Sequence, residues 1–182
     1  GLLINRKGRV REVVVGDARG DIALPGGRIA SGPFLAALGP RGELLWTRAL
    51  GPSAMPSAVA VATDETVGIA GGFDPALDLG AGRIGEDGPL VLALMRFDRN
   101  GTQLGSTAHG DWDPGWGTDY PALAGAPDGT FRMGRRSWGI WTVDDGGVIF
   151  EAALRETPEI NDIAVSAAGA TAYAGAYSSP RT

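Results

Sequence analysis

The stretch AVAVATDETVGIAGGF, residues 58–73, decides the fold because its pattern recurs along the chain. It consists of an apolar run, a polar turn and a second apolar run that ends in small residues. Further copies are LLINRKGRVREVVVGD (2–17), ALAGAPDGTFRMGRRS (122–137) and DIAVSAAGATAYAGAY (162–177), and the four copies align at Val14, Ile69, Met133 and Tyr173. Self-similarity of this kind indicates a repeat architecture.

A second kind of segment alternates with the first. It consists of two apolar runs around a turn with glycine, and its copies are FLAALGPRGELLW (34–46), LALMRFDRNGTQLGS (92–106) and IWTVDDGGVIFEA (140–152). These copies align at Gly42, Gly101 and Gly147. The spacing between copies varies, which favours constant hairpins joined by variable connectors over a solenoid of fixed period.

Each segment is predicted to be a β-hairpin. Asn100-Gly101 and Asp128-Gly129 are strong hairpin signals because both residues of each pair tolerate a positive φ. Runs such as VLALM and FLAAL are apolar at successive positions, which predicts strands that are covered on both faces. Proline and glycine interrupt the candidates for a long helix.

Two hairpins per unit make a four-stranded antiparallel sheet, which is the size of a propeller blade. The predicted fold is all-β, an arc of about three and a half β-propeller blades, with a large β-sandwich as the alternative. The whole chain, 1–182, is predicted to be one propeller segment with approximate units 1–50, 51–107, 108–153 and 154–182, the last partial. Because the partial unit lacks a hairpin of the second kind, we expect a fragment whose partners include the remaining blades of the same protein.

Composition excludes several classes of function. The 182 residues carry 16 Lys and Arg against 21 Asp and Glu, with no basic run, which argues against nucleic acid as a partner. The absence of cysteine excludes disulfides, thiol catalysis and cysteine-ligated zinc. No apolar run approaches the roughly 20 residues of a membrane span.

The unit over 45–106, from LWTRALGPSAMPSAVAVATDETVGIAGGF to LVLALMRFDRNGTQLGS, resembles a bacterial β-propeller repeat of the SBBP type. It is most similar to the extracellular or lipoprotein versions found in myxobacteria and their relatives. The resemblance covers nearly the whole chain, is strongest over 34–106 and is weakest over 107–121. It implies a secreted or cell-surface scaffold or binding module without catalytic residues.

The segment Gly80-Ala81-Gly82-Arg83-Ile84-Gly85 matches G-x-G-x-x-G, the dinucleotide-binding fingerprint. The fingerprint requires a helix after the third glycine, whereas this match is followed by EDGP. A related stretch, DIALPGGRIASGP (21–33), has Pro25 in place of the first glycine. We therefore predict a connector between the two hairpins of one blade, with no nucleotide ligand and no cofactor.

The stretch HGDWDPGWGTDYP, residues 109–121, is predicted to be an enlarged loop of the kind that carries binding sites. Three aspartates invite a calcium hypothesis, but Gly115 stands at the fifth position and no glutamate completes an EF-hand loop, so no metal is predicted. Trp112 and Trp116 are candidates to stack on a sugar or a protein partner. The weak ligand-binding candidates in this loop are His109, Asp111, Trp112, Asp113, Trp116 and Asp119.

The stretch FRMGRRSWGIW, residues 131–141, adds Arg135 and Arg136 as weak candidates for an anionic ligand. The alternative interpretation is a solvated strand edge. Both arginines stand where the preceding copy has glycines, Gly71 and Gly72.

Catalysis has little support in the sequence. The only histidine, His109, has no nucleophile elbow near it, and Lys7 is the only lysine. The function predicted is a non-enzymatic scaffold, secreted or on the cell surface, that binds protein or glycan partners. The alternative is part of a propeller enzyme, a glycan-active hydrolase or a quinoprotein-like oxidoreductase, with its active site in other blades. The tryptophan docking pattern of quinoproteins is not repeated, because Trp46 is replaced by Gly105 and Glu151 in later copies.

Overall fold

The computed structural model describes residues 12–112, 120–135, 139–144, 147–152 and 158–177. These residues form strands joined by turns, and none of them belongs to a helix long enough to cross a membrane. The strands are β1 Glu12–Ala18, β2 Ile22–Leu24, β3 Gly27–Ile29, β4 Gly32–Leu38, β5 Leu44–Ala49, β6 Met55–Val61, β7 Val67–Phe73, β8 Val91–Phe97, β9 Gln103–Asp111, β10 Ala122–Gly125, β11 Phe131–Arg135, β12 Gly139–Asp144, β13 Gly147–Ala152, β14 Pro158–Val165 and β15 Thr171–Tyr177.

The strands form five antiparallel sheets, which confirms the predicted all-β class. Sheet I has the order β1-β4-β5, sheet II is β6-β7-β8-β9, sheet III is β10-β11-β12-β13 and sheet IV is the hairpin β14-β15. The short hairpin β2-β3, called the arm, is inserted between β1 and β4. Six of the seven predicted hairpins are therefore present. Of the remaining one, predicted over 2–17, only the second half lies within the described residues, where it forms β1.

Five of the hairpin turns have one geometry. In the turn Asp98–Thr102, the amide of Gly101 donates to the carbonyl of Asp98 at 3.0 Å, and the amide of Asp98 donates to the carbonyl of Thr102 at 2.8 Å. The fourth residue of each such turn has a positive φ, and these residues are Gly42, Glu65, Gly101, Gly129 and Gly169. This is a type I turn followed by a left-handed residue.

Two expectations about the turns are corrected by this geometry. Asn100 and Asp128 do not adopt a positive φ. In each dipeptide only the glycine has a positive φ, although both residue types tolerate one. Gly147 does not occupy the turn position of Gly42 and Gly101, because it begins β13 and pairs with Asp144. Gly147 therefore aligns with Gly42 and Gly101 in the sequence, but it occupies a different position in its hairpin.

Glu65 holds a left-handed conformation, with φ 72°, at a position where the other four turns have glycine. A side chain in this region costs roughly 1 kcal/mol or more. We expect Glu65→Gly to raise the free energy of unfolding by about 1 kcal/mol. Urea titration followed by tryptophan fluorescence measures the change.

The matched control for this variant is Glu65→Gln. It keeps the strained φ and removes only the charge that faces Arg99 at 3.9 Å, so a change within about 0.5 kcal/mol is expected. A loss of stability in Glu65→Gly would show that the contacts of the glutamate outweigh the backbone strain.

Sheets I to IV pack face to face in chain order, with an apolar layer between each pair. The layer between sheets I and II includes Val13, Leu35, Ile69, Phe73, Met95 and Phe97. The layer between sheets II and III includes Leu92, Leu94, Trp112, Phe131, Met133 and Val143. Ile160 and Ile163 of sheet IV pack on Ala122 and Ile140 of sheet III. Sheet II is therefore covered on both faces, as its continuous apolar runs predicted.

The first strands of sheets II, III and IV lie side by side, because β6 contacts β10 and β10 contacts β14. Strand β1, which corresponds to β7 in the repeat, contacts β6. The described residues form an open series of four sheets without a closed ring. This arrangement of four successive sheets differs from a β-sandwich, in which two sheets pack on each other.

Glycines allow the closest approaches between the sheets. A Cβ placed on Gly68 of sheet II would lie 2.6 Å from the ring of Phe131 in sheet III. A Cβ on Gly134 of sheet III would lie equally close to Ile163 of sheet IV. A side chain at either position would force the facing Phe131 ring or the facing Ile163 side chain to move.

Candidate functional site

The G-x-G-x-x-G segment is a connector inside sheet II, between β7 and β8. Its counterpart, the arm, connects β1 and β4 of sheet I. Asp78 faces Arg83 across a β-bridge, as Ala23 faces Arg28 in the arm. Each connector also buries the isoleucine that follows its arginine, Ile84 in one and Ile29 in the other. The two stretches are therefore structural equivalents, as their sequences predicted.

The amides of this connector are already occupied. Gly80 and Gly82 donate to Oδ1 of Asp78 at 2.8 and 3.1 Å. Leu79 and Ala81 donate to Oε1 of Gln103 at 3.0 and 3.3 Å. A phosphate-binding loop needs free amides that point at the anion. Here four consecutive amides are bonded to side-chain oxygens of Asp78 and Gln103, so these amides are not free to bind a phosphate.

The first part of the predicted binding loop lies at the boundary between sheets II and III. His109 is near the end of β9, and its ring centroid is 6.2 Å from that of Trp141 in β12. Trp112 follows β9, and its amide donates to the carbonyl of Leu90 at 2.8 Å. The indole of Trp112 lies 6.2 Å from the ring of Tyr120. We call His109, Trp112, Tyr120 and Trp141 the aromatic cluster.

Trp112 is a core residue with only 6% exposure. Its indole packs directly on Gly72, where a Cβ would approach within 2.5 Å. The prediction placed this ring on a surface loop, but the structure inserts it into the layer between sheets II and III. Tyr120, which the sequence reasoning did not select, is instead 57% exposed and presents the accessible ring of the cluster.

Two polar atoms of the aromatic cluster are buried without a hydrogen-bond partner among the described residues. They are Nε2 of His109 and Nε1 of Trp112. A buried polar atom without a partner costs about 1–3 kcal/mol. Both atoms are out of reach of the surface, so the accessible part of the cluster is the ring of Tyr120.

Burial lowers the pKa of His109 from 6.5 to about 4. The imidazole is therefore neutral near pH 7, with one nitrogen that donates and one that accepts. A neutral ring next to an indole suits an uncharged polar ligand better than an anion.

The lowered pKa predicts a pH-dependent stability. The unfolded chain takes up a proton below pH 6.5, whereas folded His109 resists protonation until about pH 4. Stability should therefore fall as the pH drops from 6.5 to 4, by about 3 kcal/mol at most. The measurement is the free energy of unfolding in urea across this range, and the variant His109→Gln should remove the dependence.

Two turn carboxylates change stability in a different pH range. Burial raises the pKa of Asp98, but hydrogen bonds from the amides of Thr102 and Asn100 outweigh burial and lower it below 3.8. The hydroxyl and amide of Thr130 likewise lower the pKa of Asp128 below 3.8. Their contribution is present above pH 3.8 and is lost as the pH falls further. The pKa of Glu43 is lowered from 4.5 by backbone hydrogen bonds, so its contribution is also lost only near and below this pH. A pH dependence between about 5 and 6.5 that persists in His109→Gln would contradict the assignment to this histidine.

The remaining predicted ligand-binding residues are only partly described. Asp113, Trp116, Asp119 and Arg136 lie outside the described residues. The backbone of Asp111 pairs with Val91, and that of Arg135 pairs with Gly139. No group of three His, Asp or Glu side chains suited to a metal ion occurs in the described part of the chain.

Trp46 joins sheets I and II. Its Nε1 donates to the carbonyl of Arg99 at 2.9 Å, and its ring covers Gly101 in the β8-β9 turn. Arg48 supports the same contact, because its Nε donates to the carbonyl of Gly101 at 2.7 Å. Trp46 therefore docks sheet I on sheet II, while Trp112 lies in the layer between sheets II and III.

No model of a known protein family matches the sequence, and no curated protein is significantly similar to it. The aromatic cluster and the packing of the sheets are therefore the basis for a functional interpretation.

Proposed function

We propose that the chain is an arc of about three and a half β-propeller blades, with units near 1–50, 51–107, 108–153 and a partial 154–182. Sheets II and III each have four antiparallel strands in sequential order, which is the composition of a blade. The side-by-side first strands also support the proposal, because the first strands of propeller blades line a common channel. The repeats resemble the SBBP type.

The proposed function is a non-enzymatic binding scaffold, secreted or on a bacterial cell surface, for protein or glycan partners. The aromatic cluster is the observation that carries it. The exposed ring of Tyr120 lies 6.2 Å from the buried indole of Trp112, at the boundary where the rings of His109 and Trp141 also meet. Exposed aromatic rings stack on sugar faces and on protein partners.

The state of His109 favours binding over catalysis. A catalytic histidine is oriented by a hydrogen bond and has a pKa near the working pH. His109 has a pKa of about 4, and its Nε2 contacts no acceptor or donor among the described residues. This ring is therefore poorly suited to proton transfer near pH 7.

Tyr120→Ala tests the proposed site. The probe is an array of bacterial and plant polysaccharides, with the affinity for any positive glycan measured by calorimetry. We expect Tyr120→Ala to weaken binding by about tenfold, since a stacked ring contributes about 1 kcal/mol or more. The matched control is Tyr173→Ala, because Tyr173 is a similarly exposed tyrosine in sheet IV.

Three results would contradict the proposal. Equal loss in Tyr120→Ala and Tyr173→Ala would show that binding does not use the aromatic cluster. Absence of binding to every glycan and to immobilised cell-surface proteins would remove the scaffold function. Release of shortened saccharides from a bound glycan would show hydrolysis and would favour an enzyme.

A further inference from the structure

Asn100 differs from the other asparagines of the chain in the residue that follows it. Glycine follows Asn100, whereas Asn5 and Asn161 are followed by arginine and aspartate. The side chain of an asparagine is open to attack by the amide nitrogen of the next residue, and a glycine leaves that nitrogen unhindered because it has no Cβ. Asn100 is also exposed, in the turn between β8 and β9. It is therefore the asparagine of this chain that is chemically most prone to deamidation.

The only co-reactant of deamidation is water. The amide nitrogen of Gly101 bonds to Cγ of Asn100, the bond from Cγ to Nδ2 breaks, and the amide proton leaves with Nδ2 as ammonia. The product of this step is a succinimide ring. Water then opens the ring on one side or the other, which gives either aspartate with the original backbone or isoaspartate, whose backbone is one carbon longer.

The native turn holds the attacking nitrogen away from this reaction. The amide of Gly101 donates to the carbonyl of Asp98 at 3.0 Å, and the amide of Asn100 donates to Oδ1 of Asp98 at 2.8 Å. The Gly101 nitrogen must give up its bond to Asp98 before it attacks Cγ of Asn100. The turn therefore has to open locally before Asn100 reacts.

Sheet I keeps this turn closed. Trp46 donates to the carbonyl of Arg99 and Arg48 donates to the carbonyl of Gly101, so a carbonyl on each side of Asn100 is bonded to β5. The ring of Trp46 also covers Gly101, which is buried although its neighbour Asn100 is exposed. These contacts are lost when sheets I and II separate.

We propose that Asn100 is a deamidation site whose rate is set by the contact between sheets I and II. The reaction is slow while Trp46 and Arg48 hold the turn, and it proceeds when local opening releases Gly101. In the equivalent turn of sheet III the residue before the glycine is Asp128, which has no amide to lose as ammonia. The inference rests on the contacts of one turn and is independent of the aromatic cluster and of the proposed function.

Isoaspartate at this position would prevent the turn from closing again. Main-chain hydrogen bonds from Gly101 to Asp98 and from Asp98 to Thr102 close the native turn. An extra backbone carbon between Asn100 and Gly101 lengthens the loop that these bonds span, so the turn no longer fits against sheet I. We expect the isoaspartate form to unfold at a lower urea concentration than the unmodified chain.

The test incubates the full chain in mildly alkaline buffer beside a synthetic peptide with the sequence of residues 96–104, RFDRNGTQL. Peptic digestion at acidic pH, where deamidation is slow, and mass spectrometry with electron-transfer fragmentation then measure aspartate and isoaspartate at position 100. We expect the folded chain to react more slowly than the peptide by about tenfold or more. Asn100→Gln is the control for the site, because glutamine forms the larger imide ring much more slowly.

Trp46→Ala and Arg48→Met test the role of sheet I. Each variant removes one contact with the turn, so deamidation should become faster by about fivefold or more in each. The matched control is Phe131→Ala, which weakens the packing of sheets II and III without touching this turn. Its rate should stay within about twofold of the wild type. Circular dichroism checks that the variants fold.

Three results would overturn the inference. One is deamidation of the folded wild type at the rate of the peptide. Another is a wild-type rate in both Trp46→Ala and Arg48→Met while these variants are folded. The third is an equal acceleration in Phe131→Ala, because the reaction would then follow overall stability and not the contact with sheet I.

Discussion

Gly101→Ala should lower the free energy of unfolding by about 3 kcal/mol, from two costs that act together. Gly101 has φ 80°, a conformation that disfavours any side chain. A Cβ would also lie 2.6 Å from Cδ2 of Trp46, whose indole is held by its hydrogen bond to Arg99. The contact joins sheets I and II, so its loss should weaken their packing. Urea unfolding followed by tryptophan fluorescence measures the change.

Gly42 offers a matched control for this prediction. It occupies the same turn position with φ 76°, but a Cβ there would meet nothing within 4 Å. Gly42→Ala should therefore show the backbone cost alone, about 1 kcal/mol. In a double-mutant cycle, Trp46→Ala should recover the steric part of the Gly101→Ala effect. Equal losses in Gly42→Ala and Gly101→Ala would contradict the role of Trp46.

Phe131→Ala should lower the free energy of unfolding by about 3–5 kcal/mol, the usual range for removing a buried aromatic ring. Phe131 is fully buried between sheets II and III. Its ring lies on Gly68, so the space left by alanine is bounded by backbone that closes only partly. The change is measured by chemical unfolding at pH 7.

Two variants test whether the contact with Gly68 carries this effect. Gly68→Ala should be destabilising alone, because its Cβ would lie 2.6 Å from the Phe131 ring. Combined with Phe131→Ala, however, the added methyl group fills part of the cavity, so the double variant should lose less than the sum of the two. Tyr173→Ala is the control for loss of an exposed aromatic ring and should cost about 0.5 kcal/mol. A similar cost for Phe131→Ala would show that the sheets do not depend on this ring.

The hairpins were predictable because their signals are local. An apolar run, a polar turn and a second apolar run specify two paired strands over fewer than about 20 residues. The two connectors were recognised as equivalent for the same reason, because both contain Gly-Arg-Ile within a short stretch. In the structure, the arginine of each connector pairs with the residue five positions before it. The backbone conformation of the turn residues was less predictable. Asn100 and Gly101 both tolerate a positive φ, but only Gly101 adopts one.

The candidate site was predictable only in its location. The concentration of aromatic and acidic residues over 109–121 pointed to the boundary between two units, and His109 lies there. The sequence did not distinguish Trp112, which is buried, from Tyr120, which is exposed, because burial depends on a neighbouring sheet. Trp141, more than 30 residues from His109 in the chain, joins the cluster only through the packing of sheets II and III.

The amino-acid pattern alone established the strand content, the alternation of two hairpin kinds and the identity of the connectors, because these depend on residues close together in the chain. Only the tertiary structure decided which glycines receive a side chain from the next sheet and that Trp112 is a core residue. Those outcomes depend on contacts between distant segments, where a Cβ on Gly68 or Gly101 would lie 2.6 Å from a ring of the neighbouring sheet.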